Sequence, residues 1–278
     1  MKQACCSVVN SKWVLCLKTF VYSLLKHNPE FDRDYIVFFK KDDLNEKDFS
    51  ELRKIYNNFV FKEIKTENYT NIKQELLFDL RHEHVRTIFE WTYYRLEMFD
   101  LQGYEQVIWF DIDMLVLRNL NNLFEMRCDD GILACEDFLV KNLESKEDYE
   151  REHMLQGGVI VVGKNMMNKS VYTDLLSLLS GPYRFKLDDQ NSYRGPRSQA
   201  MFIEYFGKKE KIKSISLEYN VGWKLCRNNV IPLKDVHILH YPGSKKPWNY
   251  LNNRDSSESF LHNLWLKIYD EMKTKDLI

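Results

Sequence analysis

A chain of 278 residues with 44% hydrophobic and 29% charged side chains has the make-up of a soluble globular protein, long enough to bury a substantial core as one large domain or two small ones. Its 40 basic and 41 acidic side chains nearly cancel, leaving a formal charge of −1, so nothing global directs it to nucleic acid or to an anionic membrane. No apolar window approaches a transmembrane span, and the opening MKQACCSVVNSKW lacks an uninterrupted apolar stretch of signal-peptide length, which predicts a cytoplasmic protein. The six cysteines (Cys5, Cys6, Cys16, Cys128, Cys135 and Cys226) form no CxxC pair and join no histidine at zinc-ligand spacing. They read as reduced core thiols. With 17 Phe, 16 Tyr and 6 Trp the chain is aromatic-rich, which suits stacking on bases and sugar rings, though core packing is the commoner use.

In chain order, residues 4–9 read as a first strand. Asn10 and Ser11 then open a helix to residue 27, with Val14, Leu17, Val21, Leu24 and Leu25 on one face and Asn28-Pro29 at its end. Residues 35–39 read as a second strand, 45–56 as a charged helix and 59–64 as a third strand, the opening of a parallel α/β sheet. Residues 65–74 are polar and read as a loop. The aromatic segment 85–101 reads as a helix, and 106–110 as a fully buried central strand after Gly103. Beyond it come a short helical turn at 120–124, strands at 131–136 and 159–163 separated by the charged stretch 138–153, and a helix at 171–179. Residues 183–197 are the candidate for a mobile loop. A helix at 200–206 and short strands at 212–215 and 236–240 follow. Asp255 to Glu258 looks like a capping box opening a last helix, residues 256–274, whose Phe260, Leu261, Leu264, Trp265, Ile268 and Met272 form an apolar stripe that packs back on the domain. No repeat or linker splits the chain, so residues 1–278 are expected to form a single domain.

The chemistry gathers in two stretches. In 106–118, QVIWFDIDMLVLR, a buried strand ends in Asp111 and Asp113, where open α/β sheets place their ligands. Two carboxylates there are costly to bury unless a cation neutralises them, and carboxylate oxygen suits Mg²⁺ or Mn²⁺. Solvated turn acids are the plain alternative. In 236–250, VHILHYPGSKKPWNY, His240 ends a strand, Gly243 permits close backbone approach, and Lys246 precedes the rigid Pro247-Trp248. An imidazole beside the acids would complete a mixed oxygen–nitrogen site suited to Mn²⁺, and a lysine could meet a diphosphate as a point charge.

Taken together these stretches resemble the glycogenin-like family-8 retaining glycosyltransferases, from the first strand to Tyr250 and in the same order. VIWFDIDMLVLRNLNNLF is similar to that family's strand, DxD and following turn, LQGGVIVV to its sugar-facing segment, and HYPGSKKPWNY to its closing HxxGxxKPW motif. The resemblance implies a GT-A fold, a Rossmann-like nucleotide-sugar-binding domain with a mostly parallel sheet flanked by helices. It also implies a UDP-sugar donor, glucose first with galactose and N-acetylglucosamine as alternatives, and an acceptor hydroxyl of unknown identity. A homodimer is compatible with it. By resemblance, Asp111, Asp113 and His240 would hold Mn²⁺ (or Mg²⁺), with Ile112 between the acids at the donor. Lys246 and the Gly243 backbone would meet the diphosphate. Asn10 would open the nucleotide-binding turn, Trp13 would lie against uracil, and Arg95 would touch the donor. Asp137, Gln156 and Gly157 would face the sugar, and Gln199, Asp137 and Lys246 would form the catalytic group, in which Gln199 is a poor covalent nucleophile and Asp137 a conceivable one.

The chain departs from that pattern where the family has Asp-Gln and this sequence has Ser198-Gln199; Asp188-Asp189-Gln190 could supply the missing carboxylate. No tyrosine occurs between Tyr219 and Tyr241, the interval holding glycogenin's self-modified residue, so an external acceptor is expected. A phosphatase of the haloacid dehalogenase type also ends a strand in DxD, but on the first strand and with a small residue next, whereas here Met114 and Leu115 follow the fourth. A non-catalytic sugar-binding module would not need Asp111, Asp113, His240 and Lys246 together.

Overall fold

The computed structural model describes residues 2–70, 72, 91–140, 149–180, 197–207, 209–254 and 260–278, of which 137–140, 149–154, 180, 197 and 200 are described by their backbone alone. The first half follows the expected alternation. Strand β1 (Gln3–Val8) leads through a 3₁₀ turn (Ser11–Trp13) into α1 (Val14–His27), then β2 (Asp34–Phe39), α2 (Glu46–Arg53) and β3 (Phe59–Glu63). Asn45 starts α2 with a complete capping box, its side chain accepting from Asp48 N while the Asp48 carboxylate accepts from Asn45 N. After a 3₁₀ segment (Tyr94–Asp100) come β4 (Gln106–Phe110) and β5 (Met114–Val116). The long strands β6 (Ile132–Val140) and β7 (Tyr149–Gly163) follow, then β8 (Ile212–Ile215), β9 (Val221–Gly222) and β10 (Ile238–His240).

Seven strands form the main sheet in the order β3-β2-β1-β4-β7-β6-β8, and β7 alone runs against the rest. β1 and β4 are buried throughout apart from Val8, which explains why their sequences are nearly continuous apolar runs rather than alternations. Their side chains still divide by face. Cys5, Ile108 and Phe110 pack with Leu17, Phe20 and Val21 of α1. Cys6, Val107 and Trp109 face Tyr94, Leu96 and Phe99 on the other side. A second sheet, β5-β10-β9, packs its Leu115, Val221 and Leu239 against Leu261 and Trp265 of the last helix (Phe260–Thr274). All six cysteines are buried and free, and burial pushes their thiols up, Cys5 to about 12 and Cys226 to about 11, so they are inert packing groups.

Several expectations change. The charged stretch 138–153 does not simply separate two strands. β6 and β7 continue into it with Asp137 opposite Glu152 and Val140 opposite Tyr149, through register shifts between Ala134 and Asp137; residues 141–148 lie outside the described residues. A long hairpin is held by main-chain pairing, which apolar periodicity does not report. The segment expected as a helix over 85–101 is helical at 91–93 and then tightens into the 3₁₀ segment, buried from Tyr94 to Phe99; 85–90 lie outside the described residues. The polar stretch 65–74 contains a 3₁₀ turn (Thr66–Tyr69) whose Tyr69 is buried. Residues 200–206 split between an α-helix (Arg197–Phe202) and a π-helical turn (Ile203–Gly207). The strand expected at 236–240 starts at Ile238, after a 3₁₀ turn (Leu233–Asp235).

The last helix does pack back, with Glu271 accepting from Tyr22 Oη at 2.7 Å and from Lys26 Nζ at 2.5 Å, but Phe260 of its expected stripe is 61% exposed. The expected capping box at 255–258 and the loop 183–196 lie outside the described residues. No described helix is long and apolar enough to cross a membrane.

Candidate active site

β1 sends the chain toward β2 on one side, and β4 lies on the other, so the carboxyl ends of these two neighbours form the switch point of the sheet. Asn10 and Trp13 follow β1 there, and Asp111, Ile112 and Asp113 follow β4. The Asn10 side chain accepts from Lys12 N at 3.0 Å and so starts the 3₁₀ turn that presents Trp13.

The second sheet brings the distant motif to the acids. β5 leaves directly after Asp113 and pairs antiparallel with β10, setting His240 opposite Met114. Tyr241 N then donates to Asp113 O at 2.9 Å. Among the described residues, Asp111, Asp113 and His240 form a group whose ligand atoms all lie within 4.8 Å of one another. His240 Nε2 is 3.2 Å from Asp113 Oδ1, and Lys246 Nζ donates to Asp113 Oδ2 and, at 2.5 Å, to Tyr241 O. Burial raises the Asp113 carboxyl, but the charges of Lys246 and His240 outweigh it and hold it well below the usual carboxylate range. Two carboxylates and an imidazole at this separation fit a hard or borderline divalent cation. Once Lys246 turns to another anion, the acids need such a cation to stay paired.

Asp111 is held from behind. Trp109 Nε1 donates to its Oδ1 at 2.8 Å, an Arg95 terminal nitrogen lies 3.4 Å from the same oxygen, and its backbone N donates to Gly158 O at 2.9 Å. Arg95 is 3% exposed, and its other terminal nitrogen donates to Gly157 O at 2.9 Å. Burial pushes its pKa down while Asp111 and Asp113 push it up; a guanidinium nonetheless stays charged. Only the arginine end of this pair is enclosed, the Asp111 side chain being 25% exposed, whereas Arg254 with Asp270 is exposed at both ends and such a pair is worth roughly 0–1 kcal/mol.

Gly157 and Gly158 make this crowding feasible. A Cβ on Gly157 would fall on the Arg95 guanidinium and lie 3.2 Å from Gln199 Cγ. One on Gly158 would lie 2.9 Å from both amide atoms of Asn220 and 2.5 Å from Met114 Cε.

The other expected residues spread around this centre. Trp13, 37% exposed, stands edge-on to Trp248 at 5.4 Å, and Lys246 Nζ lies 5.6 Å above the Trp248 ring, so Trp13 shares a flank with the lysine. Gly243 takes φ +85°, a left-handed conformation suited to glycine, in the exposed loop between Tyr241 and Lys246. Gln199 is 6% exposed beside Gly157, and its Oε1, like the hydroxyl of fully buried Ser198, has no hydrogen-bond partner among the described residues. Ile112 packs against the α1 side of the core and Gln156 is half-buried. Asp137 is placed in β6 by its backbone alone, and Asp188, Asp189 and Gln190 lie outside the described residues. Sequence reasoning missed Trp109, Gly158 and Asn220. Trp109 read as plain core, Gly158 as part of a run, and nothing local marks Asn220.

The family model described as "Glycosyl transferase family 8" matches residues 5–252. Uncharacterized protein R707 of Acanthamoeba polyphaga mimivirus is 22% identical over 279 residues, covering 91% of this chain and 87% of the viral protein. Inositol phosphorylceramide glucuronosyltransferase 1 of Arabidopsis thaliana is 25% identical over 179 residues, which is 59% of this chain and 30% of the plant enzyme. Among solved structures, galactosyltransferase LgtC in complex with donor and acceptor sugar analogues superposes with a TM-score of 0.69 at 16% identity, covering 98% of this chain and 96% of that one. Glycosyltransferase GlyE of Streptococcus pneumoniae gives a TM-score of 0.63 at 17% identity, covering 100% of this chain and 64% of that one. At such identities the structural likeness is one of fold.

Proposed function

The chain belongs to glycosyl transferase family 8, and from that membership we propose that it transfers a hexosyl group, glucose first, from a UDP-sugar to an acceptor hydroxyl with retention at the anomeric carbon, using Mn²⁺ held by Asp111, Asp113 and His240. The observation that carries this reading is the convergence of those three ligands, within 4.8 Å, beside Lys246 at the switch point of the sheet. When bound, the cation supplies Lewis-acid stabilisation of the negative charge that collects on the leaving diphosphate.

The protein's own groups do the rest. Lys246 exchanges Asp113 for a phosphate oxygen, and the exposed Gly243 backbone lies within the same loop to donate to it. Trp13, beside Trp248, offers its ring to the base, with Asn10 holding the turn beneath. Arg95 and Trp109 keep Asp111 oriented. Arg95 reaches the donor only from behind that carboxylate. Gln156, Gly157 and Gln199 would face the sugar, with Asp137 expected beside them; an amide such as Gln199 is too weak a nucleophile to form a covalent intermediate, and trapping a glycosyl adduct on Asp137 would overturn the front-face reading. Front-face attack fits: the anomeric C–O bond to the diphosphate breaks, the acceptor oxygen bonds to the same carbon, and the acceptor proton passes to the departing phosphate. One glycosyltransferase domain, residues 1–278, in a reducing compartment such as the cytoplasm, suits the buried free thiols.

The name of the Arabidopsis relative favours a second donor, UDP-glucuronic acid, within the same chemistry. The test is UDP release with Mn²⁺ and UDP-glucose, UDP-galactose, UDP-N-acetylglucosamine or UDP-glucuronic acid in turn. The expected result is Mn²⁺-dependent release from UDP-glucose. Cleavage of phosphate esters with no UDP-sugar bound or turned over would overturn the reading.

A further inference from the structure

We infer that Asn220 is a positioning residue that holds the His240 imidazole as a metal ligand. The inference rests on the proposed metal site and concerns a residue outside it. Asn220 sits between a 3₁₀ turn (Leu217–Tyr219) and β9, and β9 pairs in parallel with β10 so that Gly222 lies beside His240. From there Asn220 Oδ1 lies 2.9 Å from His240 Nδ1, while Nε2 on the opposite side of the ring faces Asp113. A carbonyl oxygen only accepts, so the Asn220 contact places a proton on Nδ1. With Nδ1 protonated, a neutral imidazole has its lone pair on Nε2, directed at the carboxylates. A divalent cation held by Asp111 and Asp113 would meet that lone pair, which is the fixed tautomer a metal-ligating histidine requires.

Two further observations separate this role from simple packing. Asn220 is fully buried, yet its Nδ2 has no hydrogen-bond partner among the described residues. A side chain retained for folding alone would be better apolar, because an unpaired buried donor costs stability. The amide also occupies room that exists because residue 158 is glycine: a Cβ there would lie 2.9 Å from both Asn220 Oδ1 and Nδ2. The main-chain oxygen of that glycine accepts from Asp111 N, so one glycine serves the acid side and the imidazole side of the site together.

The experiment is titration of the whole chain with Mn²⁺ alone, following free Mn²⁺ by electron paramagnetic resonance, with melting in EDTA as the fold control. Asn220→Leu matches the side chain in size and removes the acceptor. It is expected to weaken Mn²⁺ binding about 10- to 100-fold with the melting midpoint retained. Asn220→Asp, which restores an acceptor for the Nδ1 proton, is expected to recover most of the affinity. In a His240→Ala background Asn220→Leu should have no further effect, because it acts through the ring. Wild-type affinity in Asn220→Leu, or an undiminished loss on top of His240→Ala, overturns the inference while leaving the metal site standing. His240→Ala that binds Mn²⁺ as tightly as wild type overturns the metal site itself, and the inference with it. Should Asn220→Leu fail to fold, Asn220→Ala takes its place with the same expectations.

Discussion

Asp111 and Lys246 flank Asp113 in one site, yet they are anchored differently. Asp111 leaves a fully buried strand and is gripped by the Trp109 indole, the Arg95 guanidinium and the Gly158 carbonyl, all parts of the core. Lys246 leaves a loop whose residues 242–245 are exposed, and its own contacts are the Asp113 carboxylate, the Tyr241 carbonyl and the face of Trp248. The acids are preorganised, which suits a cation needing fixed ligands at short range. The lysine is adaptable, which suits a group that must exchange one anion for another as donor arrives and product leaves.

The largest expected effect breaks both sides at once. Asp113→Asn removes a cation ligand and the partner of Lys246, and should lower turnover about 10³-fold and abolish Mn²⁺ binding, read by UDP release and paramagnetic resonance. It also tests the electrostatics. A carboxyl held below its ordinary value contributes stability that is present above about pH 4 and lost as the pH falls through the depressed value. The melting difference between wild type and Asp113→Asn should therefore shrink from pH 7 to pH 3.

Lys246→Ala separates the two sides. Turnover should fall about 10²-fold, while binding of Mn²⁺ alone stays equal or tightens because a competitor for Asp113 has gone. Loss of metal binding in that variant would mean that the loop is part of the rigid frame. Trp109→Phe keeps an aromatic ring in a smaller side chain and deletes the N–H that meets Asp111, so Mn²⁺ affinity should drop by about 10-fold with the fold intact; an unchanged affinity would show that Arg95 and Gly158 suffice.

The smallest effect concerns the segment that carries Arg95. Glu97 in the same 3₁₀ turn accepts from Tyr69 and Tyr172 at 2.7 and 2.6 Å through one oxygen, and burial raises its pKa despite those hydrogen bonds. A raised carboxyl destabilises the folded chain as the pH climbs from the unfolded value through the folded one. Glu97→Gln keeps an acceptor oxygen and removes that titration. Relative to wild type it should gain about 2–4 °C in melting temperature between acid and neutral pH. A pH-independent difference would mean that the carboxyl is not strained.

Much of this was legible from local patterns. β1 and β2 declare themselves as short apolar runs because both of their faces are buried, and the helix between them does so through the apolar face that repeats at helical spacing. Asp111, Asp113, His240 and Lys246 were readable as chemistry because carboxylates at a strand end and a histidine before a glycine-containing loop are costly features without a ligand. The inward turn of Arg95 was not readable, since a lone arginine in an aromatic segment looks the same whether it meets a donor or braces a carboxylate. Nor was the continuation of β6 and β7 through charged residues, where main-chain pairing overrides side-chain character.

The amino-acid sequence by itself determined the alternating strands and helices, the buried central strand and the two groups of candidate ligands, because these follow from periodicity and from the cost of burying charge. Only the tertiary structure decided how those groups meet. The pairing of Met114–Val116 with Ile238–His240, the passage of Gly157 and Gly158 under Arg95 and Asn220, and the contact of Asn220 with His240 join residues far apart in the chain. Such contacts depend on register and close packing between elements, and neither leaves a local signature in the chain.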